Sequence, residues 1–188
     1  MKSFLLVGIT EDTSVPSSLV KELFETGLDY LYWRKTNLIA DPPPYSSAER
    51  ILVASATPIP GAHRWHVKER EQAALRSCAP FSTSIHDLAQ WPKWAGRATL
   101  VFFSPVFPSI SKPGYGPSLP LEQLQQQIAA IRSAATEPLP QLIALGGIHA
   151  GTITRVQQAG FDGAAVMGAL WKSPDPVVAL RELKSQVR

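Results

Sequence analysis

Short, almost wholly apolar runs recur along this chain, and most are followed by a stretch patterned as a helix. FLLVGIT (Phe4–Thr10) is followed by PSSLVKELFETG, where Leu19, Leu23 and Phe24 share one face and Gly27 supplies the stop. DYLYWRK (Asp29–Lys35) then makes a second run, so strand, helix and strand fit in about thirty residues, the size of a βαβ crossover. HRWHVK (His63–Lys68), FSTSIHD (Phe81–Asp87), ATLVFFSPV (Ala98–Val106), PQLIALGGI and DGAAVMGAL read as further strands. Between them EREQAALRSC reads as a short helix and LAQWPKWAG as a short connection, then come the helices LEQLQQQIAAIRSAA and TITRVQQAG, and PDPVVALRELKSQV is the closing helix. Strands apolar on both faces must be covered on both sides, which means a parallel sheet with helices against it.

Two architectures satisfy that pattern, a doubly wound sheet and a closed barrel. No GxGxxG follows the first strand, where a dinucleotide fold would place it. The polar and glycine-rich residues instead follow strand ends: RK, SIHD, SPVFPSISK, GGI and MGA. In a (β/α)8 barrel those ends meet on one face, where active sites lie. The expected fold is therefore α/β, a (β/α)8 TIM-type barrel forming a single domain over residues 1–188. Its length sets a difficulty. A typical barrel uses about 250 residues, and this chain has 188, with only 32 positions from Arg34 to His66. Either a strand and helix are missing there, or Arg50–Ser55 is a strand flanked by degenerate helices. The barrel is thus expected to be shortened and irregular around the third βα unit, with Pro-rich linkers replacing a helix.

Composition excludes some functions. Net charge is +3, from 18 basic and 15 acidic residues, and the basic residues are scattered rather than striped. That speaks against nucleic acid and is compatible with a small anionic ligand. No apolar run approaches membrane-spanning length, so no membrane partner is expected. MKSFLLVGITED turns acidic without a small-residue cleavage site and reads as a first strand, not a leader. The single cysteine, Cys78, allows no intrachain disulfide, which fits the cytoplasm, and RSCAP around it forms no activating motif.

The last two strand ends, LGGI and VMGAL, offer backbone N–H groups at glycines, and barrels commonly bind phosphate in the loops after strands seven and eight. The candidates are Gly146, Gly147, Gly168 and Ala169. The preceding loop, FFSPVFPSISKPGYG, places Lys112 on the same face with Ser109 and Ser111, a combination suited to phosphate or pyrophosphate. His63 and His66 lie three apart on a strand and point to opposite faces, so no shared metal is expected. His149 is read as the start of a helix.

These motifs carry a resemblance. SPVFPSISKPGYG, IALGGI and GFDGAAVMGALW resemble, in that order, the (G/S)P(I/V)F-x-(S/T)-x-(S/T)K, A(L/I)GGI and G-x-x-G-(V/A)-A-V motifs of the thiamine phosphate synthase/TenI family. WRK resembles that family's (Q/H)-(L/I)-R-x-K with the lysine moved by one position, and TSIHD resembles its S-(V/T)-H strand end. The resemblance implies a (β/α)8 barrel, a homodimer, and a phosphorylated thiazole as the bound small molecule. Arg34 and Lys35 join the substrate-binding set by the WRK match.

Two activities are implied. A synthase joins thiazole phosphate to a pyrimidine pyrophosphate with Mg²⁺ held by acidic residues at the third and fourth strand ends. A TenI-type enzyme tautomerises a thiazole carboxylate phosphate and needs no cofactor. The synthase motif N-D-(R/D) is absent here, and G-V-H-L-G-Q-x-D is reduced to RWHVKERE (Arg64–Glu71), leaving Glu69 and Glu71 as the carboxylates. His86 matches the histidine that TenI-type enzymes use for proton transfer, a task suited to a group titrating near neutrality. The expectation is a TenI-like thiazole tautomerase with His86 catalytic and no metal ligands. The alternatives are a synthase with an altered metal site and an inactive paralogue that binds a thiamine precursor.

Overall fold

The structure is a computed structural model that describes residues 3–11, 13–34, 42–44, 46–59, 61, 63–75, 80–108 and 116–187. Cys78 lies outside the described residues. Strands β1 (Leu5–Ile9), β2 (Tyr30–Trp33), β3 (Ile51–Ala54), β4 (Arg64–Val67), β5 (Ser82–Ile85), β6 (Leu100–Phe103), β7 (Gln141–Leu145) and β8 (Gly163–Val166) pair in that order, all parallel. β8 pairs back onto β1, Leu5 beside Gly163 and Gly8 beside Val166, which closes the barrel. No strand is missing: Ile51–Ala54 is the third, so of the two readings the strand with degenerate surroundings holds.

Alternation along each strand sorts the apolar residues into two cores. Val7, Ile9, Tyr32, Leu52, Leu100, Phe102, Ile143 and Ala165 fill the barrel interior. Leu6, Leu31, Ile51, Val53, Val101, Leu142 and Ala164 face outward and belong to the layer beneath the helices. That layer is completed by Val20, Leu23 and Phe24 of α1 (Ser17–Thr26), Leu124 and Ile128 of α2 (Leu121–Ala134), Ile153 and Val156 of α3 (Ala150–Gln158), and Leu180 and Leu183 of α5 (Pro176–Ser185). A short α4 (Gly168–Trp171) links β8 to α5. No helix among the described residues is long and apolar enough to cross a membrane.

The irregular wall extends further than the third unit. Where α-helices would follow β4 and β5, the chain forms 3₁₀ turns at Glu69–Ala74 and Leu88–Trp94, and another at Ala48–Arg50 precedes β3. Pro92 sits inside Leu88–Trp94, where an α ladder would need its N–H. Bulk replaces the missing helices. Trp91 is fully buried and donates its indole N–H to the Pro140 carbonyl at 2.9 Å, while Trp94 is buried beside it. Trp65, on β4 itself, is buried and donates its indole N–H to the Ser55 carbonyl at 2.8 Å.

Two aspartates tie strand starts together at the opposite end from the site. Asp29, just before β2, accepts the Leu6 N–H of β1 at 2.8 Å. Asp162, just before β8, accepts the Leu142 N–H of β7 at 2.8 Å and pairs with Arg132. Arg50 binds the Leu28 and Asp29 carbonyls and lies over the Phe24 ring, 4.2 Å from its centroid.

Candidate functional site

The C-terminal ends of the strands bring Arg34, Lys68, Glu69, His86, Gly146, Gly147, Gly168 and Ala169 to one face of the barrel. Immediately beneath that face the interior turns polar. His66 of β4 is buried, with Nδ1 2.9 Å from Ser82 Oγ and Nε2 3.1 Å from Ser84 Oγ on β5. The neighbouring rings of Tyr32 and Phe102 lie 4.7 and 5.4 Å from it, centroid to centroid. Burial, reinforced by the Lys68 charge, pushes the His66 imidazole down to about 3, so it is neutral and one nitrogen donates while the other accepts. Burial and the nearby Glu71 carboxylate push the Tyr32 phenol up to about 12, so it stays protonated.

His86 follows β5, in sequence two residues beyond Ser84, and its side chain is half exposed. Its Nδ1 is in close contact with Glu69 Oε2, and the other oxygen, Oε1, accepts from Gln90 Nε2 at 3.3 Å. Local structure sets up all three residues. Gln72 Nε2 donates to Thr83 Oγ1 at 2.9 Å and to the Ser84 carbonyl at 2.7 Å, which docks the turn Glu69–Ala74 onto β5. Asp87 caps Leu88–Trp94 by accepting the Ala89 N–H at 2.9 Å, which places Gln90. Among the described residues, Nε2 of His86 has no partner.

The two glycines after β7 have a packing reason as well as a binding one. Gly146 and Gly147 adopt φ of 106° and 64°. The loop after β6 lies across them: Val106 N–H donates to the Leu145 carbonyl at 3.0 Å and Phe107 N–H to the Gly146 carbonyl at 3.2 Å. A Cβ on Gly147 would stand 2.7 Å from both Phe107 Cβ and the Pro108 carbonyl oxygen. After β8, the bonds of α4 begin with Leu170 N–H donating to the Met167 carbonyl, so the Gly168 and Ala169 amides precede the intrahelical ladder. His149 caps α3, its Nδ1 accepting the Gly151 N–H at 3.2 Å, in keeping with its reading as a helix start.

Arg34 is exposed at the end of β2, its N–H donating to Thr10 Oγ1 at 2.9 Å. Its charge acts on the Tyr32 phenol, which places it beside the mouth. Lys35, Ser109, Ser111 and Lys112 lie outside the described residues. His63 and His66 make separate contacts, His63 Nε2 standing 3.1 Å from the Pro44 carbonyl.

Mg²⁺ would require converging oxygen ligands. Glu69 is turned toward His86 and Gln90, and Glu71 accepts the Lys68 N–H at 3.4 Å while lying 3.5 Å from Arg70. No three His, Cys, Asp or Glu side chains among the described residues form a cluster able to hold a metal ion. The described donor set does not fit Mg²⁺.

Sequence reasoning missed two features. It weighed Glu69 only as a metal ligand and left His66 without partners. The serines alternating at Ser82 and Ser84 in STSI, a strand whose one apolar residue is Ile85, were the signal that the barrel interior holds a polar partner at that level. No local signal pairs Glu69 with His86; the parallel register, His66 beside Ser82, does so.

Residues 49–170 match the sequence profile of the family described as thiamine monophosphate synthase (TMP-TENI). The chain is 42% identical over 92 residues to the thiamine-phosphate synthase of Halorhodospira halophila, covering 49% of this chain and 40% of that protein. It is 40% identical over 84 residues to the thiamine-phosphate synthase of Albidiferax ferrireducens, covering 45% of this chain and 35% of that one. The matched segment thus spans less than half the length of these curated relatives. Among solved structures, thiamine phosphate pyrophosphorylase from Bacteroides thetaiotaomicron superposes with a TM-score of 0.70 at 22% identity, over 97% of both chains, which is a likeness of fold.

Proposed function

The chain belongs to the thiamine monophosphate synthase family, and from that premise we propose that it acts in thiamine biosynthesis as a TenI-like tautomerase of a thiazole carboxylate phosphate. The observation that carries the reading is the half-exposed His86 at the barrel mouth, held through Nδ1 and with Nε2 unpartnered among the described residues. Such a group takes a proton from one carbon of the substrate and returns a proton to another, leaving its own state unchanged over the cycle. The ligand's phosphate is assigned to the backbone amides of Gly146, Gly147, Gly168 and Ala169, where glycine lets the chain come close to an anion. Arg34, Lys35 and Lys112, with the hydroxyls of Ser109 and Ser111, are assigned to the carboxylate or a second anion. No cofactor enters this reaction.

A second reading, thiamine phosphate synthase, is favoured by the names of the curated relatives. It would require Mg²⁺ to stabilise departing pyrophosphate, and the described carboxylates give no site for it. Purified protein is incubated with the thiazole carboxylate phosphate tautomer, and separately with thiazole phosphate, pyrimidine pyrophosphate and Mg²⁺. Tautomerisation that falls by about 10²–10⁴-fold in His86→Ala supports the proposal. Thiamine phosphate formation refutes a tautomerase-only assignment. Ligand binding without turnover of either substrate identifies a non-catalytic binding protein.

A further inference from the structure

Glu69 contacts His86 from the turn after β4, and Gln90 contacts Glu69 from the turn after β5. An incidental surface ion pair is loosely held and contributes little. This one is held at both carboxylate oxygens. The carboxylate is fixed at one oxygen by the imidazole and at the other by the Gln90 amide. The turn carrying Glu69 is pinned to β5 through Gln72, and the turn carrying Gln90 is pinned by the Asp87 cap. Glu69 is more buried than the histidine it holds, the side chains being 30% and 50% exposed. A carboxylate that accepts from one ring nitrogen sets the tautomer and leaves the other nitrogen as the base.

We propose that Glu69 is a positioning residue for His86, holding the ring through Nδ1–H so that Nε2 is the nitrogen that exchanges the proton with the substrate, with Gln90 orienting the carboxylate. This rests on the tautomerase reading for its catalytic consequence, but the pairing itself can be measured without substrate. In the neutral imidazole the proton sits on Nδ1; without the acceptor, the ring is free to move it to Nε2.

The experiment combines ¹⁵N NMR of the His86 ring, assigned from the signals lost in His86→Gln, with steady-state kinetics. At alkaline pH the wild type is expected to show Nδ1 protonated and Nε2 bare. Glu69→Ala is expected to lose that pattern and to lower kcat about tenfold or more with KM little changed. Glu69→Gln keeps an amide oxygen that can accept from Nδ1–H, so it is expected to retain the tautomer and most of the activity. Gln90→Ala provides a milder variant outside the pair, with a smaller loss in the same direction. An unchanged His86 tautomer in folded Glu69→Ala overturns the pairing. A changed tautomer with unchanged kcat overturns its role in positioning. If the wild type turns over no thiazole substrate, or His86→Gln turns it over normally, the tautomerase reading has failed. The NMR comparison then decides the pairing alone.

Discussion

His66 provides the sharpest quantitative test, because its environment is closed on all sides and its protonation is linked to folding. The ring is 1% exposed, bonded to two serine hydroxyls and packed between Tyr32 and Phe102. Folded, it resists protonation down to about 3; unfolded, it takes a proton at its ordinary value near 6.5. A histidine depressed in this way contributes stability that is fully present above pH 6.5 and is lost as the pH falls toward 3, because the unfolded chain binds the proton first. Each pH unit within that window costs about 1.4 kcal/mol, so moving from about pH 7.5 to 5 removes about 2 kcal/mol through this one group. His66→Gln keeps polar atoms for both serines and has no proton to gain. Urea unfolding of both proteins at the two pH values isolates the effect, since His63, His86, His149 and the carboxylates are common to both. The wild type is expected to lose about 2 kcal/mol more than the variant over that interval. Parallel losses in the two proteins would refute the claim that the barrel interior keeps His66 neutral.

Other perturbations have defined outcomes. Gly147→Ala combines a left-handed φ of 64° with a Cβ 2.7 Å from Phe107 and Pro108. It should destabilise by about 1–3 kcal/mol and displace the loop after β6, read by thermal melting and the amide shifts of Val106 and Phe107. Trp91→Phe leaves the Pro140 carbonyl without its donor and opens space under the thin wall, for an expected loss of about 1–3 kcal/mol in chemical denaturation. Burial raises the Asp29 carboxyl above its ordinary range, so the wild type loses stability from this group as pH rises through that raised value. Asp29→Asn can still accept from Leu6 N–H. Its stability relative to wild type should improve from acid to neutral pH, and a ratio independent of pH would contradict this account.

Much of the barrel follows from local pattern. Leu6, Val7, Val101, Phe102, Leu142 and Ile143 alternate between two apolar environments, and that alternation together with glycine-rich strand ends is written along the chain. So are the helix signals: Gly27 closes α1 in the left-handed region, and Asp175 caps α5 by accepting the Val177 and Val178 amides. The strand Ile51–Ala54 was harder, because four residues carry too little periodicity to stand out among proline-rich neighbours. The 3₁₀ turns after β4 and β5 were also hidden: EREQAA has helical composition, and its turn is set by a side chain, Gln72, reaching across to Thr83 and Ser84.

The sequence by itself determined which residue types could meet at the barrel mouth, since strand ends, glycines and a histidine after β5 are local facts. Only the tertiary structure decided which of them touch. Glu69 and His86 meet because β4 and β5 pair with His66 beside Ser82. The same register joins His66 to Ser82 and Ser84 and leaves its ring neutral in the core. Pairing between parallel strands is a long-range choice, made by how both faces of every strand are covered around the closed ring. No window of sequence contains that choice, and the chemistry proposed for His86 depends on it.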